Sequence, residues 1–72
     1  MNWDRIEGNW KQLKGKLREQ WGRLTDDEFD QIAGKREKLV GSLQNSYGIA
    51  KDVAEQQIKE FEAKVESNRW VQ

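Results

Sequence analysis

A small all-α bundle of four to five helices is the fold class this sequence predicts, and three observations predict it. Apolar residues recur at helical spacing, one segment occurs twice at a 26-residue offset, and glycines or capping residues stand where the apolar stripes stop. The duplication overlays WDRIEGNWKQLKGKLREQWG (3–22) on FDQIAGKREKLVGSLQNSYG (29–48). Asp4 meets Asp30, Ile6 meets Ile32, Leu13 meets Leu39 and Leu17 meets Leu43; Gly8, Gly15 and Gly22 meet Gly34, Gly41 and Gly48. Aromatic character is kept where Trp3 overlies Phe29 and Trp21 overlies Tyr47. Identities fall on glycine and apolar positions while charges diverge, the pattern of a repeated packing unit rather than a repeated binding site.

Each unit reads as a short helix, a glycine and a longer helix. Trp3 with Ile6, and Phe29 with Ile32, each supply one apolar face over a turn or two. Gly8 and Gly34 are expected to close these short helices as left-handed C′ residues. The competing reading of the first unit is one continuous helix from 3 to 21, since a single glycine is tolerated inside a helix. Trp10, Leu13, Leu17 and Trp21 then fall at i, i+3, i+7 and i+11 and define the second helix, which Gly22 should end. Its counterpart carries Leu39, Val40, Leu43 and Tyr47 before Gly48.

Gly15 and Gly41 are the exception, because they stand mid-helix between core leucines, where glycine costs about 1 kcal/mol relative to alanine. Close approach of another helix backbone is the expected reason, with a kink as the alternative. Between the units, LTDDEF is a start signal: Thr25 as N-cap and Glu28 form a capping box, and Leu24 staples against Phe29. Asp26, Asp27 and Glu28 lie at the positive end of that helix dipole. A final helix over about 50–66, with Val53, Ala54, Ile58, Phe61 and Val65 on its apolar face, has no copy. The sequence therefore predicts one helical domain over 1–66, a frayed tail over 67–72, and a core that includes Trp10, Leu13, Leu17, Leu39, Leu43, Ile58 and Phe61.

Composition narrows the function classes. The 72 residues include neither cysteine nor histidine, which removes disulfides, thiol nucleophiles and the usual zinc ligands. Charged residues make up 36% of the chain and hydrophobic ones 35%, close to the composition of disordered chains, but four Trp supply apolar faces that such chains lack. Met1 to Lys11 contains no apolar signal region and no apolar run approaches the ~18 residues of a membrane span, so a soluble, cytoplasmic chain is expected. Thirteen basic and thirteen acidic residues cancel overall, yet 1–24 holds six basic against three acidic.

Three arrangements are candidate sites. The acidic cluster Asp26, Asp27, Glu28 and Asp30 lacks the ligand spacing of a calcium loop and is read as helix-start electrostatics. Lys11, Lys14 and Arg18 form a basic stripe at i, i+3 and i+7, with Lys16 and Arg23 nearby, that suits phosphate neutralisation beside an exposed Trp. Against nucleic-acid binding stands the zero net charge, so a solvated face is favoured. The tryptophans suit a stacking set or a membrane-interface belt, but Trp10 and Trp21 keep the spacing of core residues. Thr25, Ser42, Ser46, Ser67 and Tyr47 have no His or Cys to activate them, so no catalytic residue, cofactor or metal ligand is assigned and an enzyme is not expected.

IEGNWKQLKGKLREQWGRLTDDEF and GKREKLVGSLQNSYGIAKDVAEQQIKEF together resemble the CsbD-like family of small bacterial stress proteins. The likeness covers roughly residues 3–62 and rests on the G-N-W-K-Q, K-G-K, W-G-x-L-T-D-D and Y-G elements in combination. It implies a bacterial cytoplasmic protein made under general or osmotic stress, with a helical fold akin to the paired hairpins of SAM-like domains, and it brings no catalytic residue or cofactor. A mean hydropathy of −1.11 with abundant glycine is also similar to the hydrophilins, proteins associated with water deficit. Two functions follow as expectations. One is a monomeric, hydrophilic domain that protects or engages other macromolecules under stress; the other is a helical nucleic-acid-binding module using Lys11, Lys14 and Arg18.

Overall fold

Where the duplication and the apolar stripes predicted helices, a computed structural model, which describes residues 3–67, contains five. They are α1 (Trp3–Gly8), α2 (Trp10–Gln20), α3 (Asp26–Ile32), α4 (Arg36–Tyr47) and α5 (Lys51–Ser67). α4 starts one repeat length after α2, so the duplication in sequence is a duplication of helices. α5 packs against α4 and α1, α3 against α4, and α1 against α2, closing a bundle with a radius of gyration of 11.3 Å. That value is about the ~11 Å of a compact chain of this length. The expected tail lies mostly outside the described residues, as does Trp70, and α5 itself runs through Ser67.

Local chemistry explains the boundaries. At the start of α3, Thr25 is extended (φ −85°, ψ 166°), its Oγ1 accepts the Glu28 N–H at 3.2 Å, and Glu28 Oε1 accepts the Thr25 N–H at 3.1 Å. This is the predicted reciprocal capping box, and Leu24 and Phe29 on either side of it are both buried in the core. α4 ends as predicted on Gly48, whose φ of 64° carries the chain out of the helix while its N–H reaches the Gln44 carbonyl at 2.9 Å.

All seven predicted core residues are buried, together with Ile6, Trp21, Leu24, Phe29, Ile32, Val40, Ala54 and Val65. Among the described residues no polar or charged side chain is buried. The indole N–H groups are answered individually, which is how three large aromatics enter a thin core without stranding a donor. Trp10 donates to the Phe29 carbonyl at 2.8 Å, Trp21 to Gln57 Oε1 at 2.9 Å, and half-buried Trp3 to the Gly34 carbonyl at 2.6 Å. Ring contacts continue the packing: Trp3 to Trp10 at 6.5 Å, Trp10 edge-on to Phe29 at 6.3 Å, and Trp21 to Phe61 at 5.4 Å.

Several glycine expectations are corrected. Gly8 does not adopt a left-handed conformation but lies inside α1. The interruption falls on Asn9 instead, at φ −110° and ψ 22°, where its Nδ2 and backbone N–H both donate to the Arg5 carbonyl. α1 and α2 are therefore close to the continuous helix that was the competing expectation. Gly22 is not left-handed either; the exit from α2 is made by Trp21 (φ −131°, ψ 76°), held by its buried ring.

Gly15 and Gly41 meet no approaching backbone, since a Cβ at either would find nothing within 4 Å and both are exposed. The close approach occurs at Gly34. There φ is +83°, and an added Cβ would lie 2.7 Å from Glu7 Cγ and 2.9 Å from Glu7 Cα, because α1 crosses directly over the end of α3. α3 itself is closed by Ala33 in the left-handed region (φ 50°) just before Gly34. One apolar assignment in α5 also changes. Val53 is 43% exposed, because it stands about 100° around the helix from the stripe of Ala54, Ile58, Phe61 and Val65.

Candidate functional site

α2 presents the predicted basic stripe, and the next helix answers most of it. Lys14 Nζ lies 2.6 Å from Asp30 Oδ1, and Arg18 Nη1 lies 3.2 Å from Asp26 Oδ1. The pairs run in opposite chain directions, one helical turn apart on each helix, as two helices joined by the Trp21–Thr25 connection must pair. The Asp30 hydrogen bond, more than the surrounding charges, holds the Lys14 ammonium above its ordinary pKa. Lys11 is exposed and belongs to neither pair.

The flanking cations are engaged as well. Lys16 is 3.7 Å from Glu19 on its own helix. Arg23 caps the far end of the first copy: its N–H donates to the Tyr47 hydroxyl at 3.1 Å, its Nη1 to the Ser46 carbonyl at 3.4 Å, and its guanidinium lies 5.8 Å from the centre of the Tyr47 ring. Two further pairs join elements distant in sequence, Lys35 with Glu7 at 3.1 Å and Arg36 with Glu55 at 4.0 Å.

The stripe is thus brought together on one face, but Lys14 and Arg18 serve as a seam between α2 and α3. The acidic residues that suggested a metal site supply the other half of that seam, and among the described residues no group of His, Cys, Asp or Glu is placed to hold a metal ion. Trp10 and Trp21, buried and hydrogen-bonded, present no face on which a base could stack. Beside Lys11, an open depression of about 440 Å³ is lined by Glu7, Asn9, Trp10, Gln12, Asp30 and Ala33. No helix among the described residues is long and apolar enough to cross a membrane. Sequence reading missed the cross-copy pairing, although Lys-x-x-x-Arg followed by Asp-x-x-x-Asp across a short turn is its signal in an antiparallel helix pair.

Comparison with known proteins agrees with the architecture. The chain is 59% identical over 61 residues to UPF0337 protein NE2439 of Nitrosomonas europaea, covering 85% of this chain but 65% of that relative. It is 53% identical over 70 residues to UPF0337 protein YjbJ of Escherichia coli K12, covering 97% of this chain and 100% of the relative. YjbJ of Salmonella typhimurium matches over the same length at 51%, across 97% of this chain and 99% of its own. The CsbD-like family model matches residues 4–56, a stretch that holds the duplication, the capping box and the cross-copy ion pairs, and the chain belongs to that family, which is one of the general stress response.

Proposed function

We propose that this chain is a non-catalytic, monomeric stress-response protein of the bacterial cytoplasm, acting through its folded, solvated surface to protect or engage other macromolecules when water activity falls. One observation carries the reading. The arrangement best suited to a polyanion, the stripe of Lys11, Lys14 and Arg18, has its second and third members engaged by Asp30 and Asp26 within the same molecule. On a chain of zero net charge this leaves Lys11 alone of the three outside the seam, too little for phosphate binding that gains from each cation it neutralises. Membership of a stress-response family and a mean hydropathy of −1.11 support the same reading.

Complementation tests it. A strain lacking the gene should survive osmotic shock poorly and be rescued equally by the wild-type chain and by the variant with Lys11→Gln, Lys14→Gln and Arg18→Gln, once melting shows that the variant is folded. Rescue by the wild type alone would transfer the function to nucleic acid or another acidic partner. Survival of the deletion strain at the wild-type level would contradict a protective role.

A further inference from the structure

The closed fold offers a partner almost no apolar surface: among the described residues the exposed large hydrophobic is Val53. Leu13, Leu17, Leu39 and Leu43, which a non-native polypeptide would bind, all lie inside. The two helices that carry them share a feature that this fold does not use. Gly15 stands between Leu13 and Leu17, and Gly41 stands at the matching place between Leu39 and Leu43. Both glycines are exposed, neither has a positive φ, and a Cβ at either would meet nothing. No turn and no contact in the bundle requires glycine at these points, where it weakens a helix relative to alanine by freeing the open chain. The neighbours have diverged between copies, Lys14 and Lys16 against Val40 and Ser42, yet glycine stands in both.

We propose that Gly15 and Gly41 are opening points, at which α2 and α4 unwind locally and uncover Leu13 with Leu17 and Leu39 with Leu43 as a surface for the exposed apolar segments of partly unfolded proteins. The inference rests on the protective reading above and supplies its partner class. In a domain this small, a substitution worth a few-fold in an opening equilibrium is a large part of the total stability. The closed state keeps the protein solvated, and the open state carries the apolar contact.

Hydrogen exchange on the full chain tests the device, and suppression of aggregation of reduced, unfolded lysozyme tests its use. Gly15→Ala and Gly41→Ala should each slow amide exchange about fivefold in the substituted helix. The double variant should need several-fold more protein to suppress lysozyme aggregation to the wild-type extent. Unchanged or faster exchange in the alanine variants would overturn the opening points. Slowed exchange with undiminished suppression would overturn the use of opening. A wild-type chain that does not suppress aggregation would overturn the partner class while leaving the protective reading to the survival experiment, whose outcome does not depend on lysozyme.

Discussion

The two copies of the repeat share an apolar skeleton and differ in nearly everything else. Ile6 and Ile32, Leu13 and Leu39, and Leu17 and Leu43 are buried as pairs. The matched glycines diverge in use: Gly8 lies in a helix beside open space, whereas Gly34 is left-handed and pressed against Glu7. Charge diverges too, and in a complementary way, since the first copy's long helix supplies Lys14 and Arg18 to Asp30 and Asp26 of the second copy's short one. A duplicated unit can keep its packing code while its surfaces specialise against each other. In this chain that specialisation removed most of a polyanion-binding stripe.

The largest expected effect tests the shared skeleton. Leu17→Ala and Leu43→Ala, at fully buried equivalent positions, should each cost about 2–5 kcal/mol in denaturant melts. A loss near zero at either would remove that copy from the core. Next comes the divergence in glycine use. Gly34→Ala should lose about 2–4 kcal/mol, from a strained positive φ and collision with the α1 backbone, whereas Gly8→Ala should be neutral or slightly stabilising. Similar melts for the two variants would show that the copies use their glycines alike.

A smaller effect belongs to the junction between the copies. Thr25→Ala should lower stability by about 1 kcal/mol and Thr25→Ser should be nearly silent, because either hydroxyl can accept the Glu28 N–H. Equal losses would contradict the cap. The smallest effect concerns the seam. Since the folded state raises the Lys14 pKa, its contribution to stability is complete below the ordinary lysine value of 10.5 and is lost as pH rises through the higher folded value. The stability difference between wild type and Asp30→Asn should therefore be constant from neutral pH to about 10 and shrink above it; a difference that closes at lower pH would assign the pair a different origin.

Features written in consecutive residues were legible in the sequence. The stripe of Trp10, Leu13, Leu17 and Trp21, the Thr25 capping box and the Gly48 terminus need only helical periodicity and local hydrogen bonding, and the structure has all three. Features that depend on how helices cross were misread. Gly15 and Gly41 looked like close-approach sites because glycine inside a helix invites that reading, but the approach lies at Gly34, fixed by where α1 passes over α3. Gly22 looked like a terminator, but Trp21 makes the exit because its indole is held by Gln57 and Phe61 in α5, thirty-six and forty residues on. For the candidate site, the basic stripe was legible as a helix face, while its engagement by Asp26 and Asp30 depended on the antiparallel register of α2 and α3.

The central claim is that the basic stripe of α2 belongs to the fold rather than to a polyanion, and a DNA titration followed by fluorescence anisotropy tests it most directly. Mixed-sequence duplex and single strands would be titrated with wild type and with the Lys11→Gln, Lys14→Gln, Arg18→Gln variant at about 50 and 200 mM salt, a range that separates phosphate-driven binding from background. The account predicts binding no tighter than about 10⁻⁴ M at the higher salt, the weak end of non-specific association, and the same result for both proteins. Micromolar or tighter binding that falls steeply with salt and is lost in the variant would contradict it.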